Sequence, residues 1–163
     1  MLKKYLLVFF ISMVPLIELR GAVPVGLSPL WGEPLQILPL YIICIIGNML
    51  PVPFIFFFAR KVLVWGADKK FIGKFFTFCL EKGEKGGKKL QEKAGRGLYF
   101  ALFLFVGIPI PGTGAWTGTL AASLLDMDFK KSVIAVIAGV LLAGTIMGLA
   151  SAGVFGAIGT ILG

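Results

Sequence analysis

Residues 5–32 form an apolar stretch that is interrupted at its centre by Pro15-Leu16-Ile17-Glu18-Leu19-Arg20-Gly21-Ala22-Val23-Pro24. The stretch is longer than the ~20 residues a membrane-spanning helix needs. Its middle, however, does not suit a straight helix. Each proline removes a backbone donor, and its ring clashes with a carbonyl one turn earlier. Each charge at bilayer depth costs roughly 2.5–3.5 kcal/mol even on a lenient insertion scale. The uninterrupted run 5–14 rises about 15 Å as helix, half of a ~30 Å hydrocarbon core, so the break falls at the midplane. The segment reads as a re-entrant hairpin, with 5–14 entering and 25–32 returning to the same face, where Trp31 sits at the interface.

The plan recurs further along the chain. In 98–125 an apolar arm, 98–108, meets Pro109-Ile110-Pro111-Gly112-Thr113-Gly114, and a second arm, 115–125, leads to Asp126-Met127-Asp128-Phe129-Lys130-Lys131 at the surface. The stretches 34–58 and 132–162 are more continuous, and Gly47-Asn48 in one has a counterpart in Gly144-Thr145 of the other. Pro15 and Pro109 are 94 residues apart, and Gly47 and Gly144 are 97 apart. The expected fold is therefore a single all-α integral membrane domain of two inverted repeats, 5–65 and 98–163. Each repeat is a broken re-entrant helical hairpin plus a transmembrane helix, and a basic amphipathic linker, 66–97, joins them. Paired interrupted segments in two halves mark secondary transporters and point to their binding site.

Composition supports the membrane assignment. The chain is 58% hydrophobic and 15% charged, against ~45–50% and ~25% for a soluble domain. Its net charge of +8 is uneven, since eleven of the sixteen basic residues fall between Arg60 and Arg96. Loops rich in Lys and Arg stay in the cytoplasm, which places the linker there and explains the basicity without nucleic acid. In the linker, Phe71, Phe75 and Cys79 share one helical stripe and Ile72, Phe76 and Leu80 the next, with Lys69, Lys70 and Lys74 off it. That pattern suits a helix lying on an anionic leaflet, as a lipid-headgroup contact or a simple anchor.

Two topologies compete. Two hairpins with two crossings put both chain ends outside and the 126–131 loop inside, whereas four straight helices put both ends inside. Lys3 and Lys4 favour the second, Lys130 and Lys131 the first, and the recurring mid-depth breaks favour the hairpins. Lys3 and Lys4 before an apolar run also resemble a signal peptide, but Glu18-Leu19-Arg20-Gly21-Ala22 lacks a small-x-small cleavage pattern. The segment is expected to stay in the mature membrane domain.

Several chemistries are excluded or unsupported. Histidine is absent, and Cys44 and Cys79 make no metal spacing or disulfide framework. No phosphate-binding Gly-x-x-x-x-Gly-Lys-Ser/Thr loop is present, so no ATP hydrolysis of that type is expected. The reading is a non-enzyme without cofactor or metal.

The chemistry concentrates at the two breaks. Glu18 and Arg20 are the only charges deep within an apolar stretch, and such charges usually face a partner, a cavity or a substrate path. Glu18 is the candidate proton carrier, paired with Arg20 locally or across the hairpins, with a fixed ion pair as the alternative. At the second break Thr113 is placed to cap the following arm. That would leave backbone N–H groups aimed at mid-membrane, an arrangement that favours anions. Asn48 and Thr145 are weaker candidates, as interhelical hydrogen bonders. Gly139, Ala143, Gly144, Gly148, Ala152 and Gly156 allow close helix approach, within one chain or in a homo-oligomer.

The segments Pro15–Pro24 and Pro109-Ile110-Pro111-Gly112-Thr113-Gly114-Ala115-Trp116-Thr117-Gly118, in that order, resemble the small multidrug export protein family over nearly the whole chain. That family is distantly similar to the DedA/VTT superfamily of membrane proteins. The resemblance implies facing re-entrant hairpins in inverted repeat and membrane transport of a small molecule. The substrate- or proton-binding set expected from the residues at and near the two breaks is Pro15, Glu18, Arg20, Pro24, Asn48, Pro109, Pro111, Gly112, Thr113, Gly114, Trp116 and Thr117. DedA-type relatives add proton dependence and movement of lipid carriers. They carry basic residues near the second hairpin, and the segment from Pro109 to Gly118 has none. The function expected is a proton- or ion-coupled transporter, with a lipid translocase and a non-transporting scaffold as alternatives.

Overall fold

The structure, a computed structural model, describes residues 2–29, 32–69, 73–74, 77, 97–110 and 112–162. Pro111, Trp31 and most of the linker expected to be amphipathic lie outside the described residues. Among those described there is helix but no strand. The helices are α1 (Leu2–Met13), α2 (Glu18–Leu27), α3 (Ile37–Met49), α4 (Val52–Ala67), α5 (Gly97–Gly107), α6 (Ala115–Leu124) and α7 (Phe129–Leu162).

α1 stops at Met13, two residues before Pro15, and the chain turns through 14–17 with Leu16 at φ 71°. Glu18, the first residue of α2, is at φ 52°. Left-handed backbone at two non-glycine residues is costly and persists only where the surroundings fix it. The outer ends of the pair meet, because Lys4 Nζ donates to the carbonyls of Ser28 (3.1 Å) and Glu33 (2.9 Å) just past α2. α1 and α2 are thus an antiparallel hairpin.

α2 begins earlier than the sequence suggests and takes Pro24 into its interior. The expectation that 18–24 is irregular between two prolines is corrected. Proline forfeits one intrahelical bond, but Leu19, Ala22, Val23 and Gly26 are buried on the opposite side of that loss. Packing of this kind overrides propensity.

α5 and α6 form a second hairpin through the turn 108–114. Its outer ends also meet, where the Asp128 backbone N–H donates to the Tyr99 hydroxyl at 3.2 Å. Asp128 Oδ1 then accepts the Lys131 N–H (3.0 Å) and caps α7.

Two segments among the described residues are long and apolar enough to cross a membrane. They are Ile37–Ala59, with mean hydropathy 2.3, and Phe129–Val154, with mean hydropathy 2.5. The first joins α3 to most of α4 across Leu50 and Pro51, and α4 continues to Ala67, past the expected end at 58. α3 packs on α1 and α2, while α4 packs on α6. α7 runs the other way. Its Gly139 abuts Val106 and the Phe103 carbonyl, and five residues on Gly144 abuts Tyr41 and Leu19. The Tyr41 hydroxyl donates to the Gly144 carbonyl, and Gly148 leaves room for the same ring. These small residues therefore serve packing within the chain.

The core is small and aliphatic, with Val8, Leu19, Val23, Leu40, Val106, Val136 and Val140 essentially inaccessible. The outside is equally apolar. Phe10, Phe54 and Phe100 are each more than 60% exposed, and Leu149 is 72% exposed. In water this would be an oversized hydrophobic surface, but facing acyl chains it needs no cover.

Candidate functional site

The two hairpins meet tip to tip. α6 begins at Ala115 after Gly114, and like any helix start it leaves backbone N–H groups without intrahelical partners. Glu18 crosses from the other hairpin to accept them. Its Oε2 takes the Ala115 N–H and its Oε1 the Trp116 N–H, both at 3.0 Å. The negative charge lies on the positive end of the α6 dipole. Gly114 makes this possible. Its φ is 145°, and a Cβ there would lie 2.7 Å from the Glu18 carboxyl carbon. Glu18 is 3% exposed, and the side chain of Asn48, also buried, faces the same carboxylate from α3.

Arg20 answers at the opposite helix end. Its Nη2 donates to the carbonyls of Val106 (2.9 Å) and Ile108 (3.1 Å), and its Nη1 to those of Ile110 (2.6 Å) and Thr113 (2.7 Å) and to Thr113 Oγ1 (2.9 Å). These include the open carbonyls where α5 stops. The planar five-donor fork of arginine can reach such a set at once, whereas lysine cannot. A third link runs the other way, from Trp116 Nε1 to the Met13 carbonyl at the end of α1 (3.1 Å).

Glu18 and Arg20 therefore spend their hydrogen bonds on the backbone of the second hairpin rather than on each other. Arg20 is near enough to act on Glu18 through its charge. Thr113 does not cap α6. Its hydroxyl donates to the carbonyls of Ile108 (3.0 Å) and Ile110 (2.8 Å), and Gly114 at the cap position makes no side-chain bond. The N–H groups expected to await an anion are filled by the protein's own carboxylate.

The remaining sequence candidates separate. Pro15, Trp116 and Thr117 line one groove of about 440 Å³ between α4 and α6, with Leu16, Phe54 and Phe58. Pro109 and Gly112 sit in the second turn, where Gly112, at φ 83°, has open space around it. Pro24 lies away from the tips, inside α2.

Sequence reasoning passed over some interior polar groups. Ser12, fully buried, donates to the Phe9 carbonyl (2.7 Å) beside Gly47. Ser123 donates to the Phe56 carbonyl (2.5 Å). Three buried atoms, Asn48 Oδ1, Thr119 Oγ1 and Ser132 Oγ, have no hydrogen-bond partner among the described residues. The available signal was spacing, since Ala115, Thr119 and Ser123 recur every fourth residue along α6. Among the described residues no group of three or more His, Cys, Asp or Glu is placed to hold a metal.

A family model described as "Putative small multi-drug export protein" matches residues 18–146, from Glu18 at the first tip to Ile146 in α7. No curated protein and no solved structure matches the chain.

Proposed function

Since this chain belongs to the small multi-drug export protein family, we propose that it is a proton-coupled secondary transporter that exports small molecules past the facing hairpin tips. It is a membrane protein, as its family and its two long apolar segments indicate. In this reading both hairpins are re-entrant, the halves form an inverted repeat, and the chain is multi-pass with residues 66–97 in the cytoplasm. Each arm of 10–12 residues rises about 15–18 Å, so two hairpins end to end match a ~30 Å hydrocarbon core.

One observation carries the reading: a buried carboxylate holds the two tips together through two N–H···O bonds. Ionised, Glu18 attracts those donors strongly. Protonated, it loses the charge assistance that roughly doubles such bonds. Taking up or releasing a proton thereby loosens or tightens the seam between the hairpins, which couples a proton to an opening at mid-membrane. Arg20, bound to carbonyls, keeps the rest of the seam aligned.

The test is reconstitution in liposomes with an imposed pH gradient and ethidium as the transported probe. Wild type is expected to move ethidium in response to the gradient, and Glu18→Gln to fold but lose that response. Equal gradient-driven flux in both overturns the reading. The groove beside Pro15 and Trp116, lined almost entirely by apolar side chains, favours a second reading, a lipid translocase. Movement of a headgroup-labelled lipid without ethidium flux selects it, and neither flux selects a scaffold.

A further inference from the structure

We propose that α6 carries the proton route between Glu18 and the linker-side surface, with Thr119 as its midpoint and Ser123 as its mouth. This rests on the role given to Glu18 above and adds the path and the side from which it opens.

The geometry starts at Ala115, whose N–H holds Glu18. Thr119 and Ser123 follow at four-residue intervals on the same face of α6, where neighbours lie about 5–6 Å apart. Both are buried, Thr119 at 1% and Ser123 at 6% exposure. Thr119 Oγ1 makes no hydrogen bond to any described residue. Thr145, by contrast, satisfies its hydroxyl on the carbonyl four residues earlier at 2.9 Å. A buried hydroxyl without a protein partner calls for an explanation, most simply a water. Ser123 lines an open groove of about 560 Å³ together with Lys61, Trp65 and Asp126. That groove lies at the end of α4 from which the basic linker departs. The eight residues from Ala115 to Ser123 rise about 12 Å, so two turns of one helix connect the carboxylate to the groove.

One water between successive groups closes the chain once the Ser123 hydroxyl turns from the Phe56 carbonyl, to which it donates at rest, toward Thr119. A proton arriving on the Thr119 oxygen releases the hydroxyl's own proton onward to the Glu18 carboxylate. The net change is one proton moved from groove water to Glu18, with each hydroxyl restored. The groups facing Glu18 are Arg20 on its own helix, the Asn48 amide from α3 and the Ala115 and Trp116 N–H groups from α6. α1 carries charge only at Lys3 and Lys4, and α7 only at Lys130 and Lys131, at the far ends of those helices. No second carboxylate competes for the proton among the described groups around Glu18.

The experiment is a rapid pH step on protein in lipid nanodiscs, with the protonated-carboxyl band followed by time-resolved infrared difference spectroscopy. Glu18→Gln first identifies the band, which must vanish in that variant. Thr119→Val is expected to slow its appearance at least tenfold while its pH midpoint stays put, and Thr119→Ser to restore the rate. Ser123→Ala slows it similarly and keeps the question open to measurement if Thr119→Val does not fold. Unchanged rates in Thr119→Val or Ser123→Ala overturn the route alone. A band that survives Glu18→Gln overturns the carrier role on which it rests.

Discussion

Replacing Gly114 with alanine should break the contact that joins the hairpins. Two effects add. The backbone there has φ 145° and ψ −171°, a region essentially restricted to glycine, and holding alanine in it costs about 1–3 kcal/mol. The new Cβ would also stand 2.7 Å from the Glu18 carboxyl carbon and 2.8 Å from its Oε1, so the carboxylate must leave. The Ala115 and Trp116 N–H groups then lose charged acceptors, at ~1.5–3 kcal/mol each. The total is ~4–9 kcal/mol. Gly112→Ala is the control. It too has positive φ, 83°, but nothing within 4 Å of its Cβ position, so it should cost only ~1–2 kcal/mol. The difference is at least ~2 kcal/mol, so at roughly 2–4 °C per kcal/mol for a chain of this size, Gly114→Ala should melt in detergent at least ~4 °C below Gly112→Ala. In a Glu18→Ala background, where the bonds are already gone, Gly114→Ala should lower stability only by the backbone part. Equal losses in the two glycine variants, or strict additivity of Glu18→Ala with Gly114→Ala, would refute the assignment of that carboxylate to the α6 start.

Arg20→Lys should recover little of the stability lost in Arg20→Ala, because one ammonium cannot serve acceptors spread from Val106 to Thr113; recovery of more than half in thermal melts contradicts this. Tyr41→Phe should cost about 1 kcal/mol through its bond to Gly144. It should also lessen the damage of Gly148→Ala, whose Cβ would run into the Tyr41 hydroxyl that phenylalanine lacks; a double variant no better than Gly148→Ala alone would contradict the packing. Single cysteines at positions 2 and 162 should both react with an impermeant external reagent on intact cells. Protection of both restores four straight spans.

The breaks at Pro15 and at Pro109 were legible because proline and glycine interrupt apolar runs, and membrane-length helices tolerate nothing else so visibly there. Glu18 and Arg20 were legible as the only deep charges. Their partners were not, since those are main-chain groups 86 to 98 residues away, and backbone N–H and C=O groups leave no mark in a sequence. Thr113 was given the capping role by its position, but Gly114 opens the helix start to a carboxylate from outside. Pro24 misled because its effect on the helix is decided by the packing of Leu19, Ala22 and Val23 against other segments. Thr119 and Ser123 had the right spacing, but their burial becomes visible only once α4 and α7 lie against α6.

The reciprocal capping of the tips also bears on the order in which the protein is made. Synthesis delivers the first hairpin with its acid and its guanidinium, while their acceptors and donors follow 86 to 98 residues later. At ~5–20 residues per second that is a wait of roughly 4–20 s. During this interval the first hairpin holds two bare charges in or beside the bilayer, each worth roughly 2.5–3.5 kcal/mol against insertion. Its insertion is therefore provisional until residues 106–116 arrive to claim both groups. A nascent chain halted within the linker should be a substrate for membrane quality control, whereas two half-chains cut in the linker and made together should find each other and persist.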